Sequence, residues 1–309
     1  MNPVDDLLWV WRLGEMPAGE EALMLGDVDI AVVHGREVAY RYTPGIGSPI
    51  LLIHGIGSSM STWTSIPERL EAAGHGVLAV DLQGHGESSL DPGDFSLGAH
   101  ANTLRDLLDL LAIDTVHLVG HSLGGGIAMQ FVYQFPERAE TLVLVSSGGL
   151  GEGMNAGLKL ATLPGAGLFV ATAFNRPTMM TMSWIGRTLT RVGVRDHSLT
   201  PETLETIGKL AHPQRRAAFL STLRGVISTK GQILSAIDKL SILGDRRVLI
   251  IWGDRDPLIP VAHGERAHEL LPNSRLVVFA GAGHEPHFFD APRFADELLV
   301  HLASVQPVR

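Results

Sequence analysis

The chain has 309 residues, with 24 Lys and Arg against 33 Asp and Glu, a formal net charge of −9. Hydrophobic residues make up 45% and charged residues 18%, which supports a sizeable core and excludes intrinsic disorder. The acidic balance leaves no electrostatic footprint for nucleic acid. The absence of cysteine excludes a thiol nucleophile, a thiolate metal site and a disulfide framework.

In chain order, the first segment places Val4, Leu7, Leu8 and Trp11 at helical spacing, and we read it as a helix packed on its own domain. Residues 1–20 carry Asp5, Asp6, Glu15 and Glu20 and no basic start or long apolar run, so a cytoplasmic location is expected. Short β-branched or aliphatic runs follow at 30–33, 38–42, 50–53, 77–80, 116–119 and 142–145. Helical patterns lie between them at 63–73, 101–112 and 123–135. The first two runs flank His34-Gly35-Arg36 and predict a hairpin; the rest alternate strand and helix, the pattern of a mostly parallel sheet covered on both faces. The alternation resumes with strands at 248–252 and 276–279 and helices at 262–271 and 292–303. The intervening segment is helical in tendency, contains no convincing strand and reads as an insertion over the sheet. The expected organisation is an extension at 1–29, a core formed by 30–148 with 242–309, and a helical cap at 149–241.

The sharpest chemical signal is Gly120-His121-Ser122-Leu123-Gly124, a G-x-S-x-G match. Alone it is weak, because an ordinary Gly-rich helix start looks the same. Here it lies between an aliphatic strand at 115–119 and an apolar-faced helix, so Ser122 falls in a sharp strand-to-helix turn. A serine hydroxyl needs a base. The candidate is His284, just beyond the strand at 276–279; His287 is the rival, past Pro286. The imidazole in turn needs an acid to hold its tautomer. Asp256 follows the strand at 248–252, with Asp254 as competitor and turn capping as the plain reading of the latter. The turn after the strand at 142–145 offers no carboxylate before Glu152, so the acid comes from the later loop, where Asp256 is chosen over its competitor Asp254. For a tetrahedral oxyanion, the expected donors are the backbone N–H of Leu123 and that of Ile56, in His54-Gly55-Ile56-Gly57. The His284 and His287 pair lacks a surrounding ligand shell, so neither a metal nor a cofactor is expected.

These motifs, together with Asp81-Leu82-Gln83-Gly84-His85-Gly86-Glu87-Ser88, resemble the α/β-hydrolase superfamily, in its serine-nucleophile branch with a helical cap. The resemblance runs from about Ile30 to Leu302 and implies an eight-stranded, mostly parallel sheet with the cap inserted after the sixth strand. It also implies that the loop 81–88 is structural, leaving His85 without a catalytic role. Relatives that attack an sp³ carbon use Asp, because a serine would leave an ether that water cannot cleave. Ser122 therefore points to acyl transfer through an acyl-enzyme, with carboxylic esters as the expected substrates.

An uncharged run at 160–175 and the cluster Met179, Met180, Met182 and Trp184 suggest a pliable apolar wall and a small apolar ester as partner. Contact with a membrane surface through that segment stays open. Three other activities share these residues: hydrolysis of a C–C bond in vinylogous diketones, cofactor-free perhydrolysis, and ligand binding without turnover. For the first, Arg176, Arg187, Arg191 or Arg195 would meet a substrate carboxylate.

Overall fold

The computed structural model describes residues 27–167 and 208–304. The expected helix near Val4, the arginines at 176–195, the Met179–Trp184 cluster and the uncharged run beyond residue 167 lie outside the described residues.

Two strands, β1 (Asp29–Val33) and β2 (Arg36–Thr43), form the predicted antiparallel hairpin around His34 and Gly35. Then come β3 (Ile50–Ile53), helix α1 (Pro67–Ala72), β4 (Val77–Val80), α2 (Leu97–Leu110), β5 (Val116–His121), α3 (Leu123–Gln134) and β6 (Ala139–Val145). After β6 the chain forms α4 (Ala156–Ala161), α5 (Pro213–Val226), the two-residue strands β7 (Ile227–Ser228) and β8 (Gly231–Gln232), and a 3₁₀ segment at Ile237–Leu243. It closes with β9 (Val248–Gly253), α6 (Ala262–Leu270), β10 (Ser274–Phe279), α7 (Pro286–Phe289) and α8 (Ala291–Ala303).

The main sheet has eight strands in the order β1-β2-β4-β3-β5-β6-β9-β10. β2 is antiparallel to both neighbours, and every pair from β4 to β10 is parallel. Side-chain alternation then splits the core in two. In β3, Leu51 and Ile53 join Leu104, Leu107, Ile127 and Phe131 on the α2–α3 side. Ile50 and Leu52 join Trp63, Leu70, Phe294 and Leu298 on the α1–α8 side. Each fully buried large aliphatic side chain contributes about 1.5–3 kcal/mol, so both faces hold the sheet.

Two expectations are corrected. The helical pattern at 63–73 is broken: Met60–Trp63 is a 3₁₀ turn, and α1 begins only at Pro67. Proline has no N–H to donate to a preceding turn and suits the first helical position. The segment after β6 is also not free of strands. β7 and β8 pair antiparallel through Ile227 with Gln232, two residues each, too short for any period to register in the sequence. Among the described residues, no helix is long and apolar enough to cross a membrane.

Candidate active site

The parallel strands end on a common edge, and the candidate residues follow their carboxyl ends. β5 runs into Ser122, whose φ of 54° and ψ of −113° lie where non-glycine residues are strained. The turn is held on both sides. The Ser122 amide donates to Val145 O at the end of β6 (2.9 Å), while its carbonyl accepts from Gly125 (3.1 Å) and Gly148 (2.9 Å). Glycine is required by close approach: a Cβ at Gly124 would sit 2.2 Å from Ile53 O, and one at Gly120 would sit 2.3 Å from Gly124 O. The backbone of the turn therefore packs directly on the end of β3.

Leu123 is the first residue of α3, where helix geometry leaves an amide without an intrahelical acceptor. Among the described residues neither the Leu123 nor the Ile56 N–H is engaged in a hydrogen bond. The loop carrying Ile56 is fixed from beneath. His54 is buried, its Nδ1–H donates to Gly55 O at 2.7 Å, and its Nε2 accepts from the Leu82 amide at 3.1 Å. The loop 81–88 is a further buttress: Asp81 is buried and accepts from the amides of Met60 (2.6 Å) and Glu87 (2.7 Å).

The structure brings Asp256 and His284 together. Asp256 Oδ2 accepts from His284 Nδ1 at 2.7 Å, and its side chain is fully buried. Its other oxygen accepts from the amides of Leu258 (2.8 Å) and Ile259 (3.0 Å), so both are occupied and the carboxylate cannot rotate freely. A carboxylate can only accept, which puts the ring proton on Nδ1 and leaves Nε2 as the basic nitrogen. The His284 ring stays partly accessible, with 12% of its side-chain surface exposed. Asp254 is exposed and instead takes the Gly281 amide at 2.6 Å, bracing the loop that carries His284. His287 is buried, with Nε2 paired to Thr62 Oγ1 at 3.1 Å and its ring 4.6 Å from Trp63. It is therefore walled off from the solvent-facing side on which His284 lies.

The segment after β6 meets this edge. Leu210, Phe219, Leu220, Leu223 and Ile227 form a small apolar cluster with Ile56, Met154 and Leu158 packed against it. Gln232 in β8 accepts from the Gly149 amide and ties the short hairpin to the turn behind Ser122. Sequence reasoning missed Gln232, because its partner lies in a glycine-rich turn with no periodic pattern.

Burial, above all, pushes the imidazoles of His54, His85, His100 and His287 down to about 3. The folded state therefore keeps them neutral while the unfolded chain protonates them below about 6.5. Their stabilisation is complete above about pH 6.5 and is lost as pH falls toward about 3, at up to ~1.4 kcal/mol per pH unit for each ring. Four such rings can exhaust a typical stability of ~5–15 kcal/mol within a few pH units. Thermal melts should show a steep fall in Tm from pH 7 to pH 5, and a flat Tm over that range would contradict the neutral, buried assignment.

A sequence model of the Alpha/beta hydrolase family matches residues 50–297. The chain is 39% identical over 278 residues to an uncharacterized protein of Mycobacterium tuberculosis, covering 89% of this chain and 81% of that protein. It is 29% identical over 268 residues to the 2-hydroxy-6-oxo-6-phenylhexa-2,4-dienoate hydrolase of Burkholderia cepacia, covering 84% of this chain and 89% of that enzyme. Among solved structures, an esterase from a Rhodococcus strain superposes with a TM-score of 0.67 at 25% identity, covering 90% of this chain and 99% of that one.

Proposed function

The chain belongs to the alpha/beta hydrolase family, and from that premise we propose that it is a serine hydrolase cleaving carboxylic esters with apolar acyl groups. The observation that carries the reading is the Asp256–His284 pair at 2.7 Å, its carboxylate fully buried, on the same sheet edge as the strained turn at Ser122. In this reading Ser122 Oγ attacks the ester carbonyl as His284 Nε2 takes its proton. The oxyanion meets the N–H groups of Leu123 and Ile56. Collapse of the tetrahedral intermediate expels the alcohol, which leaves with the proton from His284. Water then attacks the acyl-enzyme, losing its proton to the same nitrogen, and the acid departs as Ser122 is restored. Asp256 keeps the proton on Nδ1 and stabilises the imidazolium between steps. The apolar cluster around Phe219 and Leu223 supports an uncharged acyl group beside Ile56.

A second reading, hydrolysis of a C–C bond in a vinylogous diketone acid, draws support from the name of the Burkholderia relative. One substrate panel separates the two. Burying each added methylene is worth ~0.8 kcal/mol, close to fourfold in binding. For an ester hydrolase kcat/KM should rise across acetyl, butyryl and hexanoyl p-nitrophenyl esters, by less than that factor per carbon, and then level off. A flat ester series with rapid cleavage of the diketone acid would overturn the esterase reading in favour of the second.

A further inference from the structure

The side chain of His121, inside the Ser122 turn, does something that the reaction scheme does not use. Its Nε2 lies 3.0 Å from the backbone carbonyl of His284, 163 positions away in the chain. A carbonyl only accepts, so Nε2 carries the proton and Nδ1 does not. That Nδ1 is buried and has no hydrogen-bond partner among the described residues. Leaving a buried polar atom unpaired is unfavourable, so a residue kept only for packing would be better as an apolar ring. Burial, followed by the neighbouring His287 and His284 imidazoles, holds His121 well below the usual histidine range, which keeps it a neutral ring with one fixed donor.

The ring is also held firmly. It lies 4.6 Å from the His287 ring and 4.9 Å from the His284 ring, and edge-on to Trp63 at 6.5 Å. On its other side runs the oxyanion loop: a Cβ at Gly55 would lie 3.1 Å from His121 Nδ1 and 3.2 Å from Ser122 Cβ. The His121 ring thus touches the turn, the loop of Ile56 and the loop of His284 together.

We propose that His121 is a positioning residue that pins the main chain of His284 to the Ser122 turn, setting the reach between Ser122 Oγ and His284 Nε2. The inference rests on the roles proposed above for Ser122 and His284. Asp256 fixes one point of the imidazole, at Nδ1, and Asp254 braces the loop at Gly281, but neither of these bonds engages the backbone of His284 itself. The bond from His121 to the His284 carbonyl supplies a second point, on the backbone, and the two together aim Nε2.

The test compares His121→Phe, His121→Gln and His121→Asn by steady-state ester kinetics, fluorophosphonate labelling rate and thermal melts. Phenylalanine keeps the ring without a donor. Glutamine places an N–H where Nε2 was, and asparagine is polar but too short to reach. A misplacement of about an ångström costs on the order of 10²-fold in rate. Expected are a fall in kcat of about 30–100-fold for His121→Phe and His121→Asn with KM within about threefold, labelling slowed in parallel, and recovery to within about fivefold in His121→Gln. If His121→Phe does not fold, the Gln-to-Asn ratio of kcat decides. Wild-type kcat in His121→Phe, or equal rates in His121→Gln and His121→Asn, would overturn the proposal. A wild-type protein that neither labels nor hydrolyses esters would instead refute the proposed function, a result distinct from equal variants in an active enzyme.

Discussion

Replacing Ser122 with alanine is expected to remove ester turnover almost entirely, lowering kcat by about 10⁶-fold, with fluorophosphonate labelling lost and the fold unchanged. The size follows from what remains. In the proposed scheme the amides of Leu123 and Ile56 would still offer donors to an oxyanion, so a residual ~10³–10⁴ over the uncatalysed rate is expected, with no covalent intermediate. Mass spectrometry after a rapid acid quench should find one acyl group on the wild-type chain, mapped to Ser122, and none on the variant. The backbone gives an independent readout. Ser122 sits at φ 54°, and non-glycine residues in such regions carry about 1–3 kcal/mol of strain. Ser122→Gly should therefore melt higher than the native chain while being as inactive as Ser122→Ala. An acyl group or a probe adduct that persists at full level in Ser122→Ala would remove Ser122 as the nucleophile.

Most of this turn is legible in the sequence, for a physical reason. A buried parallel strand has both faces apolar and reads as a short aliphatic run, so Ile50–Ile53 and Val77–Val80 match the runs in the sequence end to end. The turn at Ser122 is legible because close backbone approach admits only glycine at positions 120 and 124. What was illegible depends on distance in the chain. That His287 packs on Trp63 and pairs with Thr62 could not be read from its position past Pro286, three residues after His284. The bond from His121 to the His284 carbonyl has no local signature either, since any buried ring fits the same pattern. The short pairing of Ile227 with Gln232 fails for the opposite reason: its two-residue strands are too brief to show alternation. In the sequence, Asp254 reads as a turn cap and Asp256 as the partner of the imidazole. In the folded chain Asp254 braces the Gly281 amide and Asp256 meets the imidazole.

That division of labour predicts opposite outcomes for two substitutions only two residues apart. Asp256→Asn keeps the shape and one acceptor oxygen, so the amides of Leu258 and Ile259 retain a partner and the loop stays folded. The amide nitrogen that then faces His284 can only donate, so Nδ1 must give up its proton and Nε2 must carry it. The base then meets Ser122 in the wrong tautomer, and the imidazolium formed in each step loses its counter-charge. Together these cost about 10⁴-fold in kcat. Asp254→Asn retains an oxygen for Gly281 N and removes only an exposed charge, whose pairings are worth at most ~1 kcal/mol. Its kcat should stay within about fivefold of the native value. Measuring both variants on one ester at pH 8, alongside melting curves, gives the ranking. A reversal with both proteins folded would transfer the acid to Asp254. Equal and small losses would mean that His284 works without a carboxylate, and the buried 2.7 Å contact would then have to be explained by stability alone.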